Sequence, residues 1–260
     1  MPTLFQVRSF FTYWLDAVDE HSLHSPFYYD FYVNVVRGSQ QNNIHGAGET
    51  ARQKFLKDSR SIPVDDLGKG SVHFNTTTRS IGDIARTSLS NAKFSKLYTR
   101  IIEYFGAKTV LELGTSLGVN TLYLAEAPET KVITFEGAPA LAKEARQLFE
   151  DLKIATIEIV EGNLDQTLSL RLSKMSKIDF AFVDANHTFE ATTHYVNQLF
   201  KKSHAKTVIV LDDIHHTPEM EKAWHTLRDS PLVYGSIDLY RCGLLFFDPS
   251  LNKRHVVLQF

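Results

Sequence analysis

The sequence predicts an α/β protein built on a doubly wound, mostly parallel sheet, with antiparallel C-terminal strands and a helical extension at the N-terminus. Two observations carry this reading. From residue 108 onward, short apolar runs at 109–113, 131–135, 156–160, 178–183 and 207–211 alternate with amphipathic stretches. Strands that are apolar on both faces and separated by helices belong to a parallel sheet covered on both sides. The end of the chain breaks this rhythm. Segments 233–240, 242–247 and 255–260 are extended and leave no room for crossover helices. They are expected to pair antiparallel, the last two as a hairpin across 248–254.

The helices follow from spacing. Leu4, Val7, Phe11, Trp14 and Val18 recur at helical intervals, which predicts a helix over 3–20. Ser25-Pro26 suits an N-cap and first helical position, and that helix runs through Phe27, Phe31 and Val35 to stop near Gly38. Residues 39–80 read as irregular and polar, with one helix near 49–57. Gly68-Lys69-Gly70-Ser71 reads as a turn, because Pro63 stands where a phosphate loop needs its first glycine. Phe94, Leu97, Tyr98, Ile101 and Phe105 mark a helix over 91–105; Leu141, Ala145, Leu148 and Leu152 mark another. Segments 189–202 and 218–228 also read as helices. The chain thus divides into a helical lid or dimerisation segment, 1–80, and an α/β domain, 81–260.

Composition narrows the function. Twenty-eight basic and 30 acidic residues leave a formal charge of −2, which argues against a dedicated nucleic-acid binder. The single cysteine, Cys242, excludes an intramolecular disulfide and a cysteine-rich zinc site. His21/His24 and His215/His216 are the closest histidine groups, and neither has the spacing of a zinc helix. No apolar stretch approaches the roughly 18 residues of a membrane span. Arg8, Asp16, Asp19 and Glu20 interrupt the first 20 residues, so no signal-peptide core is present. A cytoplasmic protein without nucleic-acid or membrane partners is expected.

The chemistry begins at Val110-Leu111-Glu112-Leu113-Gly114-Thr115-Ser116-Leu117-Gly118, a strand, a glycine turn and a helix start. Ligands of such sheets bind at the carboxyl ends of the strands. A pyrophosphate cofactor needs a second glycine for close backbone approach, and here that place holds Ser116. Glu112 adds a negative charge that would repel pyrophosphate. S-adenosylmethionine, which carries an ammonium and a sulfonium but no phosphate, tolerates both features. Glu136 ends the next strand, about 20 residues on, where a carboxylate suits ribose hydroxyls. Glu161-Gly162-Asn163 ends the third strand, where small and polar side chains can border an adenine.

On these motifs, residues 108–260 resemble the class I S-adenosylmethionine-dependent methyltransferases, a Rossmann-like superfamily. His24-Ser25-Pro26-Phe27 and the layout of the chain are similar to a bacterial branch of it. The resemblance implies cofactor contacts at Gly114, Ser116, Gly118, Glu136 and Asn163, with Glu112, Thr115, Gly162 and Asp184 at the same site. It makes 81–260 the cofactor-binding methyltransferase domain.

The reaction centre is expected where Phe182-Val183-Asp184-Ala185-Asn186-His187 and Val210-Leu211-Asp212-Asp213-Ile214 end their strands, beside the cofactor loop. Three converging carboxylates repel one another without a cation. Oxygen-only ligands suit magnesium, which would polarise a substrate hydroxyl. The pattern is similar to metal-dependent O-methyltransferases of the catechol and caffeoyl-CoA type, which place a lysine base three residues after the first Asp. Here that place holds His187, which is closer to the macrolide-sugar O-methyltransferases, where a histidine is the base. A neutral imidazole near pH 7 can take a hydroxyl proton. The expectation is Asp184, Asp212 and Asp213 as magnesium ligands, with His187 and Asp184 catalytic. In the competing reading, Asp184 holds only the cofactor ammonium or a loop, and Asp212-Asp213 cap the turn before the helix that Thr217-Pro218 begins.

The resulting expectation is O-methylation of a small hydroxylated acceptor, a sugar or a phenol, with metal assistance. A metal-independent N-methyltransferase, an NAD-dependent oxidoreductase (disfavoured by Ser116) and a non-catalytic binding protein stand beside it. The aromatic N-terminal stripe reads as packing or as a homodimer surface, and Tyr28, Tyr29 and Tyr32 as acceptor-pocket candidates.

Overall fold

A computed structural model describes residues 2–40, 46–65 and 76–260. The Gly68-to-Ser71 turn lies outside the described residues. The chain divides into two compact units, Met1–Gln40 with Lys174–Phe260, and Gln41–Ser173. The first forty residues group with the C-terminal third of the chain.

In chain order, the first unit opens with α1 (Leu4–Asp16) and α2 (Pro26–Phe31). The second unit holds α3 (Ala47–Leu56), β1 (Ser61–Asp65), β2 (Thr76–Ser80), α4 (Ile81–Ser88), α5 (Ala92–Phe105), β3 (Thr109–Leu113), α6 (Val119–Leu124), β4 (Lys131–Glu136), α7 (Pro139–Asp151), β5 (Ile157–Glu161) and α8 (Leu164–Ser173). The first unit resumes with β6 (Phe180–Val183), α9 (Phe189–Phe200), β7 (Val208–Asp212), α10 (Pro218–Arg228), β8 (Gly235–Asp238), β9 (Cys242–Phe246) and β10 (Arg254–Val257). Among the described residues no helix is long and apolar enough to cross a membrane.

Local chemistry sets these boundaries. Thr3 and Gln6 form a reciprocal capping box at the start of α1. Asn91 caps α5, and Gly106 ends it in the left-handed conformation at φ 60°. Thr217 caps α10 by accepting the Met220 N–H at 3.2 Å. The stretch expected to be irregular carries the antiparallel pair β1–β2, and α4 and α8 were not anticipated. The α8 stretch lacks a clear helical face, and α4 is short, so periodicity could not reveal either.

In the second unit β3, β4 and β5 pair in parallel. In the first unit β6 and β7 are parallel, and β9 runs antiparallel to both β7 and β8. This is the Rossmann-like α/β order with an antiparallel C-terminal strand. One expectation fails. The last two strands do not form a hairpin; β10 pairs with β8, and in parallel. The reason is that β9 already has β7 on one edge and β8 on the other, so β10 takes the remaining edge of β8.

The core of the first unit is apolar on both faces of the sheet. Phe180, Phe182, Val208, Ile209, Val210, Leu211, Leu244 and Leu245 are all buried. Each such side chain contributes roughly 1.5–3 kcal/mol of transfer free energy. The N-terminal helices join this core: Tyr28 is fully buried and its hydroxyl donates to the Arg254 carbonyl at 2.7 Å. That burial removes Tyr28 from the acceptor-pocket candidates; Tyr32 is buried as well, whereas Tyr29 remains exposed.

Candidate active site

The glycine turn and the strand end beside it form one hydrogen-bonded assembly in the second unit. The Phe135 carbonyl accepts the N–H groups of Gly114 and Thr115, each at 3.1 Å. Gly114 adopts φ 106°, a conformation open to glycine at little cost, which lets the chain turn off β3. Glu136, the last residue of β4, accepts the Ser116 N–H at 2.7 Å through Oε2 and the Ala138 N–H at 2.9 Å through Oε1. Burial raises its pKa, and these backbone donors oppose the rise. Each oxygen still has lone-pair capacity for a hydroxyl donor.

Glu112 acts from beneath the turn. It is fully buried; Oε1 accepts from Asn120, and Oε2 accepts from Thr121 and from Thr134 at 2.7 Å. Thr115 joins the same network through Thr134, with 2.6 Å between their hydroxyls. Both residues therefore shape the turn. Gly118 has a packing reason for its identity: at φ 77°, a Cβ there would meet the Phe149 ring at 2.7 Å. Gly162 donates its N–H to the Glu136 carbonyl at 2.9 Å, and Asn163 caps α8 by accepting the Asp165 N–H at 2.9 Å. The cap role of Asn163 was missed because α8 itself was missed. Ser88, at the end of α4, places its hydroxyl 3.2 Å from that of Ser116 and carried no motif signal.

The acidic cluster belongs to the first unit. Asp184 follows β6, and its Oδ1 lies 3.1 Å from His187 Nε2. The turn between them is held in unusual backbone conformations, φ 61° at Asn186 and 36° at His187, with the His187 N–H on the Ala185 carbonyl at 2.8 Å. Such conformations cost of order 1–3 kcal/mol each and need support from their surroundings. Burial disfavours charge on His187, but hydrogen bonding to Asp184 and the negative charges of Asp184, Asp213 and Asp212 outweigh it and raise its pKa to about 9. This rise runs against the neutral imidazole expected near pH 7.

Asp212, the last residue of β7, is only 1% exposed. Both of its oxygens are engaged by one guanidinium: Arg241 Nε lies 3.2 Å from Oδ1 and Nη2 lies 3.0 Å from Oδ2. Burial and the Asp184 charge raise the Asp212 pKa, and Arg241 works against them. Asp213 follows at φ 53° and contributes its charge to both neighbours. Sequence reasoning missed Arg241, since no motif spacing links a hairpin residue to a carboxylate 29 positions earlier. His215 was also undervalued. It is clamped between Glu221 at 2.9 Å and Asp238 at 2.8 Å, and the Tyr240 ring stacks on it at 5.6 Å.

Residues 111–214 match the protein family described as a methyltransferase domain. Over that stretch the chain is similar to that family. No curated protein matches the sequence. Among solved structures, the O-methyltransferase from Bacillus cereus in complex with SAH is similar at 17% identity and a TM-score of 0.61, over 82% of this chain and 96% of that one. The O-methyltransferase TomG from Streptomyces achromogenes, involved in tomaymycin synthesis and solved with SAM, is similar at 18% identity and a TM-score of 0.60, over 83% and 96%. The SAH-bound methyltransferase PaMTH1 from Podospora anserina is similar at 15% identity and 0.59, over 87% and 99%. At these identities the likeness is one of fold. The matched stretch begins inside β3, just before the glycine turn, and ends just past Asp212 and Asp213. It thus takes in the cofactor, metal and base candidates read from the sequence, while Tyr28, Tyr29, Tyr32 and Arg241 lie outside it.

Proposed function

We propose that the protein transfers a methyl group from S-adenosylmethionine to a hydroxyl of a small acceptor, with His187 as the base and Asp184 as its positioning partner. The observation that supports this most is the 3.1 Å Asp184–His187 contact, within the stretch that is similar to the methyltransferase family. When bound, S-adenosylmethionine supplies an electrophilic methyl group on sulfur. The residues suited to hold it are those of the Gly114–Gly118 turn, with Glu136 placed to accept ribose hydroxyls beside the Ser116 amide. Asp184 fixes the His187 ring through Nε2, which leaves Nδ1 to take the acceptor proton. A base with a pKa of about 9 is matched to an acidic hydroxyl, and a phenol, at about 10, is far nearer than a sugar hydroxyl. We therefore favour a phenolic acceptor.

Magnesium does not fit the carboxylates as folded. Arg241 occupies both oxygens of Asp212, and His187 faces Asp184. Among the described residues, no group of three or more His, Cys, Asp and Glu side chains is set to hold a metal ion. No step of the proposed reaction is routed through one.

The test is methyl transfer from labelled S-adenosylmethionine to a panel of phenols, sugars and amines, beside a calorimetric titration with S-adenosylhomocysteine. Methylation of amines alone would reject the hydroxyl assignment. Failure to bind S-adenosylhomocysteine, with NADH bound instead, would reject the cofactor.

A further inference from the structure

We infer that Arg241 is the resident cation of the carboxylate cluster and stands where a divalent metal would otherwise be required, so that the cluster binds no metal ion. The inference deepens the methyl-transfer reading and rests on it for its catalytic meaning. The β8–β9 hairpin positions the side chain. β9 pairs antiparallel with β7, with Asp212 opposite Cys242, and the Ile214 N–H donates to the Arg241 carbonyl at 3.2 Å. Arg241 is thus anchored by its own backbone beside the end of β7. Its guanidinium then meets the Asp212 carboxylate with two N–H···O contacts, one to each oxygen. This fork-to-carboxylate geometry is the one that arginine makes and a lysine ammonium cannot.

The hairpin itself is braced. The Tyr240 N–H donates to Asp238 Oδ1 at 2.7 Å, which fixes the turn residue at φ 66°. The Tyr240 ring stacks on His215, and its hydroxyl donates to the Gln6 carbonyl at 3.0 Å. The cation is held by a rigid scaffold and cannot lose its proton to make room for an ion.

Charge balance points the same way. Asp184, Asp212 and Asp213 bring three carboxylates, and Arg241 brings a permanent positive charge to both oxygens of one of them. A divalent ion needs several oxygen donors in a near-octahedral shell. It would find one carboxylate already engaged at both oxygens and a fixed positive charge beside it. Arg241 is a positioning residue in this arrangement: it orients Asp212 and sets the charge that His187 faces.

The experiment is titration of the full chain with Mn2+, followed by electron paramagnetic resonance, for the wild type, Arg241→Gln and Arg241→Gln/Asp212→Asn. The wild type should show no saturable site tighter than about 1 mM. Arg241→Gln should gain a site at least ~10-fold tighter, because the carboxylates lose their cation, and adding Asp212→Asn should remove it. A wild-type site tighter than about 1 mM that Asp184→Asn or Asp212→Asn removes would overturn the inference, as would an Arg241→Gln chain that gains nothing. Should Arg241→Gln not fold, the wild-type titration decides alone. A parallel S-adenosylhomocysteine titration separates the two readings, since loss of cofactor binding sinks methyl transfer without touching the Mn2+ result.

Discussion

Glu136 Oε2 accepts the backbone N–H of Ser116 at 2.7 Å, which ties the end of β4 to the glycine turn that follows β3. One carboxylate thereby sets both the shape of the turn and a ready acceptor for ribose hydroxyls. Glu136→Ala should weaken S-adenosylhomocysteine binding by at least ~10-fold, as expected for losing hydrogen bonds to a charged group. Isothermal calorimetry measures this, and unchanged affinity would remove Glu136 from the cofactor site.

His187→Ala should lower turnover by roughly 10²–10⁴-fold, the usual contribution of a positioned base, with S-adenosylhomocysteine affinity held within about threefold. In the wild type, kcat/KM should rise with pH and level off near 9, where the imidazolium gives up its proton. A flat profile between pH 6 and 9 would exclude His187 as the base.

Arg241→Ala leaves Asp212 buried without its guanidinium partner. Breaking such a pair costs about 3–5 kcal/mol, and the partly exposed arginine places this case near the lower end. Urea denaturation should show the loss, and Asp212→Asn in the same chain should recover a large part of it. Equal and additive effects of the two changes would mean that the pair does not couple.

Gly118→Ala places a Cβ 2.7 Å from the Phe149 ring and 3.1 Å from the Ala145 Cβ, at a φ of 77°. Overpacking of this kind costs typically 1–3 kcal/mol, and the backbone strain adds to it. Thermal unfolding should show the loss, with partial recovery when Phe149→Leu is added.

His215 has a raised pKa: burial opposes its charge, but the hydrogen bonds and charges of Asp238 and Glu221 prevail. A histidine of raised folded-state pKa stabilises the protein fully below its unfolded value of about 6.5 and loses that contribution as pH climbs through the folded value. His215→Gln should therefore lose more stability relative to wild type at pH 6 than at pH 9. An equal deficit at both values would show that His215 acts through packing alone.

The sequence by itself determined the alternation of parallel strands and helices, and with it the positions of Gly114, Glu136, Asp184 and Asp212 at strand ends. Apolar runs and helical periodicity are local signals, and a residue's place at the end of a run follows from them directly. Tertiary structure decided what those residues do. Whether Glu112 faces a ligand or lies buried under Asn120, Thr121 and Thr134 depends on how α6 and β4 pack around it. That β10 runs parallel to β8 depends on which strand edge remains, a property of the assembled sheet. The partner of Asp212 proved to be a guanidinium delivered by the β8–β9 hairpin, because pairing between β7 and β9 brings residue 241 beside residue 213. A charge balance is a sum over neighbours in space, and the chain order of 212 and 241 carries no sign of that pairing.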